Sequence, residues 1–308
     1  MKTESFRAPS RFLIYLIILT HVLTGCATTS SSGNLKTGPQ LASAQEQNKE
    51  IPYQGVKLDV IIPVFSPGLS DSAAEYEEEG IWPELRRAEA NRFAYKLKTA
   101  LDESGKFGAV RVAPNSTASG DLFAVGEIIE SNGQELEFSL NVVDASGKQW
   151  LNDTIEYEVG EGFYKNPRND GKDPYDPAFD KAAQAIIEAL LKQQQSELAQ
   201  LQNINDLRFA ASFNEQAFME YLDTSGQQIK LVSMPSDADP MFQRVKSIQV
   251  REQLFVDNLQ QNYSAFSQQM DDSYLAWQEA SATEMQLRKE AKTKSIWKMI
   301  GGAVLIGA

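Results

Sequence analysis

Cysteine and histidine are almost missing from this chain of 308 residues. It has one of each, Cys26 and His21, and both lie within the first 26 residues. The other 282 residues therefore have no side chain with an ordinary pKa near 7. They also lack a Ser-His-Asp or Cys-His nucleophile, an imidazole or thiolate for zinc or haem, and any disulfide. We expect no enzyme, no catalytic residue, no metal and no cofactor.

Basic residues are scarce relative to acidic ones. The chain has 29 Lys and Arg against 42 Asp and Glu, and removal of residues 1–25 leaves 26 against 41, a net charge of −15. Phosphate backbones are bound through clustered Lys and Arg, so nucleic acid is excluded as an expected partner. Hydrophobic residues make up 42% of the chain, which is sufficient for a folded core.

The N-terminus has the pattern of an export signal. Lys2, Arg7 and Arg11 precede an apolar run of 12 residues, 12–23, which is too short to span a bilayer permanently. The run ends in Leu23-Thr24-Gly25-Cys26, which resembles the bacterial lipobox. The resemblance implies cleavage after residue 25 and acylation of Cys26, whose acyl chains would anchor the protein in a membrane.

Two further features indicate where the anchored protein lies. In lipoproteins of this kind an aspartate after the cysteine favours the inner membrane, whereas Ala27 follows here. The resemblance therefore implies the outer membrane, with the body facing the periplasm. Residues 26–52 are rich in Ser, Thr, Gly and Gln and are predicted to form a flexible tether.

Residues 53–192 alternate between strand and helix patterns. Val56, Leu58, Val60, Ile62 and Val64 have the period of two of a strand, and Pro63 predicts that this part lies at a sheet edge or just outside the ladder. After an acidic run that includes Glu75 and residues 77–79, Pro83 is predicted to open a helix that ends near Ser104 with Gly105 as its cap. Its predicted apolar face consists of Leu85, Ala88, Phe93, Leu97, Ala100 and Leu101.

The next segments predict hairpins. Strands are expected at residues 107–112, 122–129, 135–143 and 149–159, and a second helix at 178–191. Leu136, Phe138, Leu140 and Val142 alternate with polar residues, so one face of the sheet is expected to be core. The predicted class is α+β: a small antiparallel sheet packed by two helices, followed by a long helical C-terminal region.

Three stretches of this part resemble a known domain. They are residues 87–92, which open the first helix, residues 100–110 around Gly105-Lys106-Phe107, and the hairpin at 142–150 around Val143-Asp144-Ala145. They are similar to the small α+β domain of ABC-transport auxiliary lipoproteins, of curli-secretion lipoproteins and of a Tol-system periplasmic protein. The resemblance covers residues 53 to about 191 and implies a non-catalytic role in a larger envelope complex.

The C-terminal third is predicted to be mostly helical. Residues 193–240 form a helical and loop connector, and residues 241–300 contain no Pro or Gly. A row in this long helix is spaced mostly at three, four or seven: Met241, Val245, Ile248, Phe255, Leu259, Phe266, Met270 and Trp277. This spacing favours an extended arm, as a helical hairpin or coiled coil that could pair two copies of the chain. The alternative is a helix that breaks near Asp271-Asp272 and folds back.

The last residues, 301–308, are apolar and rich in Gly and Ala, and they follow Trp297 and a basic cluster. One interpretation is that they contact a membrane. The alternative is that they form an oligomer contact, or that the chain originally continued beyond residue 308.

Few residues are candidates for chemistry. Residues 169–180 hold four carboxylates (Asp170, Asp173, Asp176 and Asp180) that could bind calcium, although the EF-hand spacing is absent and a turn in which Asp176 or Asp180 caps the next helix is the alternative. A carboxylate glycosidase needs only two acids, but Glu127 with Glu130, or Asp121 with Glu161, are not singled out by any pattern. Gly160-x-Gly162 and Gly301-Gly302 lack the residues of a nucleotide loop.

We therefore expect a non-enzymatic outer-membrane lipoprotein that acts as an assembly, scaffold or accessory component, with a protein partner in the envelope. A lipid-handling or small-molecule-handling accessory protein of a transporter and a histidine-independent peptidoglycan hydrolase are the alternatives.

Overall fold

A computed structural model describes residues 53–70, 76 and 81–305, with side chains described up to residue 291 and at residue 293. The elements in chain order are β1 (Val60–Pro63), α1 (Pro83–Ser104), β2 (Val110–Ala113), β3 (Leu122–Ser131), β4 (Glu135–Asp144), β5 (Gln149–Glu158), α2 (Asp176–Leu191), α3 (Gln195–Phe213), α4 (Glu215–Phe218), β6 (Leu222–Asp223), β7 (Lys230–Leu231) and α5 (Pro240–Leu305). The predicted α+β class with a long C-terminal helix is confirmed.

The main sheet has the strand order β2-β1-β3-β4-β5. The predicted hairpins β3–β4 and β4–β5 are antiparallel, but β1 is parallel to both β2 and β3. The prediction of a wholly antiparallel sheet was therefore wrong. The cause is α1, which carries the chain from the end of β1 back to the start of β2, so that the two strands run in the same direction.

Pro63 lies in an internal strand, which corrects the prediction of an edge position. Val60 N donates to Ala109 O, just before β2, and Val64 N donates to Ala113 O, at the end of β2, each at 2.9 Å. The backbone nitrogens of the alternate residues, including Pro63, therefore face β3. Pairing with β3 covers only Val60 and Ile61, so the missing N–H of Pro63 falls where the ladder is interrupted.

Helix α1 follows its sequence signals. Pro83 occupies the first turn, and Gly105 adopts a left-handed conformation with φ of 65° while its N–H donates to Asp102 O at 3.1 Å. The predicted start, end and cap are confirmed. The buried face differs at its N-terminal end, where Arg86 and Glu89 are buried and Leu85 and Ala88 are only half-buried.

The core lies between one face of the sheet and the helices α1 and α2. On β4 the inward residues Leu136, Phe138, Leu140 and Val142 are at most 1% exposed, so the predicted register is confirmed. The Phe138 ring stacks on Phe179 of α2 with centroids 5.6 Å apart, and Phe179 contacts Phe93 of α1 at 5.2 Å. The three aromatic rings thereby join the sheet to both helices.

The connector between α2 and α5 forms a second core. α3, α4 and the short β6–β7 hairpin bury a cluster that includes the first turns of α5: Ala145, Ile204, Leu207, Ala210, Phe218, Leu222, Phe242 and Val245. The start of α5 is therefore held by the connector.

Helix α5 is one uninterrupted helix, and it does not break at Asp271-Asp272. Its buried side chains recur at intervals built from three and four residues: Phe242, Val245, Gln249, Val256, Ser267, Tyr274, Gln278 and Ala282. At about 1.5 Å per residue this contact face is roughly 60 Å long. Up to residue 291 the helix follows the folded domain and does not leave it as a free arm, and it forms no hairpin with itself.

Helix α5 also covers an edge of the sheet. Its Gln260 side chain accepts a hydrogen bond from Val112 N and donates one to Val112 O, both at 2.9 Å. Arg111, the preceding residue in β2, binds Asp257 of α5 at 2.5 Å. An unpaired edge strand is a template for aggregation. The amide of Gln260 satisfies the backbone of β2 as a neighbouring strand would.

Several expectations concern residues that the structure does not describe. They are the signal segment, the tether at 26–52 with Cys26, the acidic run at residues 75 and 77–79, and the side chains of residues 301–308. Within the described part of the chain, no helix is both long enough and apolar enough to cross a membrane.

Candidate functional site

Helix α5 crosses the turn between β3 and β4 at very close range. Gly133 in this turn has φ of 82°, a conformation that favours glycine, and a Cβ built there would collide with the backbone of Gln278 and lie 2.9 Å from Ala282 N. The Tyr175 hydroxyl accepts a hydrogen bond from Gly133 N at 2.7 Å, and the Tyr164 hydroxyl donates to Gly133 O. The close approach places the side chains of α5 beside the buried polar residues of α1.

A buried ionic network joins α1 to α5 near this crossing. Arg92, which is 1% exposed, binds Asp173 at 2.7 Å and Asp271 of α5 at 2.5 Å, and it donates to Ser267 O at 3.1 Å. Gln278 donates to the second oxygen of Asp173 at 3.1 Å. The guanidinium also lies over the Tyr274 ring, 4.8 Å from its centroid. Three contacts of Arg92 thus join α1 directly to α5, and Gln278 joins α5 to the same network through Asp173.

The charge state of Asp173 depends on its partners. Burial raises the pKa of Asp173, but the charges of Lys96 and Arg92 and the hydrogen bond from Arg92 outweigh it, so the pKa lies below its ordinary value. The carboxylate is therefore ionised and neutralised inside the protein.

Glu89 lies one turn before Arg92 on α1 and is 1% exposed. Its Oε1 accepts hydrogen bonds from Ser131 Oγ at 2.5 Å and from Tyr274 Oη at 2.8 Å, and its Oε2 lies 3.3 Å from Arg86 Nε. Burial raises the pKa of Glu89 from 4.5 to about 7, against the opposing effects of these partners. Glu89 therefore exchanges a proton near neutral pH.

A cleft opens directly beside Glu89, between the first turn of α1, the end of β3 and one flank of α5. Its volume is about 290 Å³. The lining combines aromatic, charged and small polar side chains, among them Trp82, Arg86, Glu89, Asn132, Trp277 and Arg288. The other flank of α5 borders a second cleft of about 410 Å³, which includes Glu161, Gly162, Lys165 and Gln286 but no tryptophan. We take the cleft beside Glu89, named here the tryptophan cleft, as the candidate functional site.

No protein-family model matches this chain, and no curated protein or solved structure does. The resemblance to envelope accessory lipoproteins accordingly remains a prediction from the residues quoted above.

Two of the acidic residues at 169–180, which were considered above as calcium ligands, form ion pairs with basic residues of α1. Asp173 belongs to the Arg92 network, and Asp176 binds Lys96 at 2.6 Å. Among the residues that the structure describes, no group of three or more Asp, Glu, His or Cys is placed to hold a metal ion. The alternative of a helix cap was also wrong, because α2 begins at Asp176 and both Asp176 and Asp180 lie inside it.

The carboxylate pairs considered for glycoside cleavage lie in separate environments. Asp121 is buried, accepts hydrogen bonds from Asp59 N at 2.9 Å and Asn205 at 3.1 Å, and has its pKa raised by burial to about 6. Glu161 is exposed beside the second cleft. Glu127 lies near Ser66 at 3.5 Å, whereas Glu130 lines the tryptophan cleft. Neither pair shares a contact within the described structure.

The glycine pairs also have structural positions. Gly162 adopts φ of 79° and precedes a short 3-10 helix at Phe163–Lys165, while Gly301 and Gly302 fall within the backbone of α5.

Arg86, Glu89 and Arg92 are the residues whose role the sequence did not reveal. Glu89 and Arg92 entered only as part of the resembling stretch 87–92, and burial was predicted for none of the three, because charged residues are seldom fully buried. A usable signal was present, since Arg86 and Glu89 lie seven and four positions before Phe93 and thus share its face.

Proposed function

We propose that the protein is an outer-membrane lipoprotein, anchored through Cys26, that acts as a non-enzymatic accessory or scaffold component of an envelope complex. The lipobox-like sequence supports the anchor, and the absence of histidine and cysteine after residue 26 supports the non-enzymatic role. The resemblance to envelope accessory lipoproteins supports the type of complex.

The observation that carries the scaffold role is an apolar row along α5 that the domain leaves partly uncovered. Met241 is 47% exposed, Phe255 63% and Phe266 39%, and Ile248 and Leu259 between them are half-buried. These residues recur at four and seven positions, which places them on one flank of the helix. Monomeric proteins seldom leave such a row uncovered, and this spacing is typical of a surface that accepts another helix.

We propose that this row, named here the α5 row, contacts a partner protein in the envelope through coiled-coil-like packing. The partner's helix would cover Phe255 and Phe266, which are aromatic residues of the kind that dominate binding energy at interfaces. A second copy of the chain bound through the same row is the alternative.

A photo-crosslinking amino acid at Phe255 tests this proposal in cells. We expect a discrete crosslinked product with Phe255 and a much weaker one with the matched control Gln261, which is exposed on the opposite flank of α5. The mass of the product distinguishes a partner from a second copy. Equal crosslinking at the two positions, or none at either, would contradict a specific interface.

The anchor has its own test. Cys26→Ser should abolish acylation, block processing after residue 25 and shift the protein out of the outer-membrane fraction, since the acyl chains supply the affinity for that membrane. A Cys26→Ser protein that still fractionates with the outer membrane would refute the proposed anchor, whatever the crosslinking result.

A further inference from the structure

The tryptophan cleft exposes an aromatic side chain that no structural need explains. Trp82 precedes α1 as its N-cap residue, makes no capping hydrogen bond, and is 63% exposed. Tryptophan carries a large apolar surface that proteins usually cover. An exposed Trp at the mouth of a cleft is therefore typical of a ligand-binding surface.

The second tryptophan of the cleft is held in a fixed orientation. The Trp277 ring stacks on Tyr274, with centroids 5.4 Å apart and an angle of 25° between the planes. Tyr274 is 1% exposed and is itself held by its hydrogen bond to Glu89. Trp277 therefore offers the cleft an aromatic surface that needs little further ordering on binding.

The charges of the cleft are already paired with one another. Arg86 lies 3.3 Å from Glu89, and Arg288 lies 2.6 Å from Glu284. The carboxyl of Glu130 accepts a hydrogen bond from Asn132 at 3.0 Å. Among the described residues that line the cleft, no unopposed cluster of one sign remains for a charged ligand. Hydrogen-bond donors and acceptors are nevertheless present around both tryptophans, so the lining suits a ligand that is neutral and rich in polar groups.

We propose that the tryptophan cleft binds a saccharide chain. A pyranose ring has an apolar C–H face and a rim of hydroxyl groups. Trp82 and Trp277 would contact the C–H faces, and Arg86, Asn132 and Arg288 would bind the hydroxyl groups. In the periplasm that we propose for this protein, such sugars occur in the wall glycan and in lipopolysaccharide.

The cleft is built for binding without cleavage. The carboxyl of Glu89 is covered by Ser131, Tyr274 and Arg86 and does not reach the surface. A glycosidase needs two carboxyl groups that flank the scissile bond, and the remaining acids of the cleft, Glu130 and Glu284, are exposed and bound to neighbouring side chains.

The test uses the full-length lipidated protein in detergent. The probes are an N-acetylglucosamine tetrasaccharide, measured by calorimetry, and purified peptidoglycan sacculi and lipopolysaccharide, measured by co-sedimentation and pull-down. We expect Trp82→Ala to weaken binding by about tenfold or more. Phe213→Ala is the matched control, because Phe213 is also an exposed aromatic residue, at 54%, but lies outside both the cleft and the α5 row, and it should leave binding unchanged.

The possible outcomes distinguish the wall glycan from lipopolysaccharide as the source of the sugar, and they distinguish saccharide binding from the scaffold role. Binding to sacculi that depends on Trp82 assigns the wall glycan, and binding to lipopolysaccharide alone with the same dependence assigns its sugars. No binding to any probe at about 10 mM sugar, binding that Trp82→Ala leaves intact, or release of shorter sugars would overturn the proposal. Failure of the Phe255 crosslink would refute the scaffold role without affecting these measurements.

Discussion

Because α5 crosses the β3–β4 turn so closely, we predict that even a methyl group at residue 133 greatly lowers the free energy of unfolding. Gly133→Ala places a methyl group against the backbone of Gln278 and Ala282, and helix backbone cannot rotate aside as a flexible side chain can. The positive φ of 82° costs a non-glycine residue about 1–2 kcal/mol. Forcing the helix outward adds about 1–3 kcal/mol for overpacking. The sum is a loss of about 2–5 kcal/mol in the free energy of unfolding.

The equivalent turn between β4 and β5 supplies the control. Gly147 has φ of 86°, but a Cβ there meets only Gln227 O, at 3.9 Å. Gly147→Ala should therefore carry the conformational strain alone, about 1–2 kcal/mol. Urea denaturation followed by tryptophan fluorescence gives both free energies of unfolding.

Hydrogen exchange locates the damage. In Gly133→Ala the amides of α5 around residues 270–290 should exchange faster, because that half of the helix is displaced from the turn. In Gly147→Ala they should keep the protection of the unmodified protein. Equal losses of stability in the two variants, with unchanged exchange in α5, would refute the conclusion that the helix packs directly on the turn.

Three further predictions concern the polar contacts. Arg92→Ala leaves Asp173 buried with Lys96 as its remaining cation and should cost about 3–5 kcal/mol, whereas Arg87→Ala, which removes an exposed pair, should cost less than about 1 kcal/mol in the same urea experiment. The folded state holds a proton on Glu89 up to about pH 7, whereas the unfolded state releases it near pH 4.5. The contribution of Glu89 to the free energy of unfolding is therefore complete below pH 4.5 and is lost as the pH rises to about 7, by about 3 kcal/mol in total. Glu89→Gln should flatten that part of the stability profile, and a profile identical to that of the unmodified protein would contradict the burial of Glu89. Gln260→Ala should cost about 1–3 kcal/mol and expose the Val112 amide to exchange, while the neighbouring Gln261→Ala should do neither.

The sequence predicted the local elements of the fold and missed those that depend on distant residues. Helix α1 and the two hairpins were predicted with their caps and turns, because their signals lie within a few residues of one another. The parallel pairing of β1 with β2 and β3 was not predicted, since nothing within β1 itself specifies direction.

Helix α5 shows that an apolar row predicted from spacing does not by itself identify the face that packs on the domain. The row predicted from spacing includes Met241, Phe255 and Phe266, which are exposed. The face that packs on the domain instead contains Gln249, Ser267 and Gln278, which are buried and hydrogen-bonded to polar groups of the domain. A pattern of apolar residues cannot identify a contact face that is partly polar.

The candidate site was inaccessible to sequence reasoning for a similar reason. Trp82 and Trp277 are 195 positions apart, and only the fold brings them to one cleft. Arg92 and Asp173 are 81 positions apart and are both charged, so neither suggested a buried partner.

The place of Tyr274 in the core has a consequence for biosynthesis. Tyr274 packs with the residues of the sheet and donates a hydrogen bond to Glu89, which precedes it by 185 positions. A chain made from its N-terminus cannot complete this core until almost all of it has been synthesised, and contacts between such distant positions form slowly. The nascent polypeptide must therefore be kept from aggregating until its last helix arrives, and a stop codon shortly before residue 274 would yield a product with an open core.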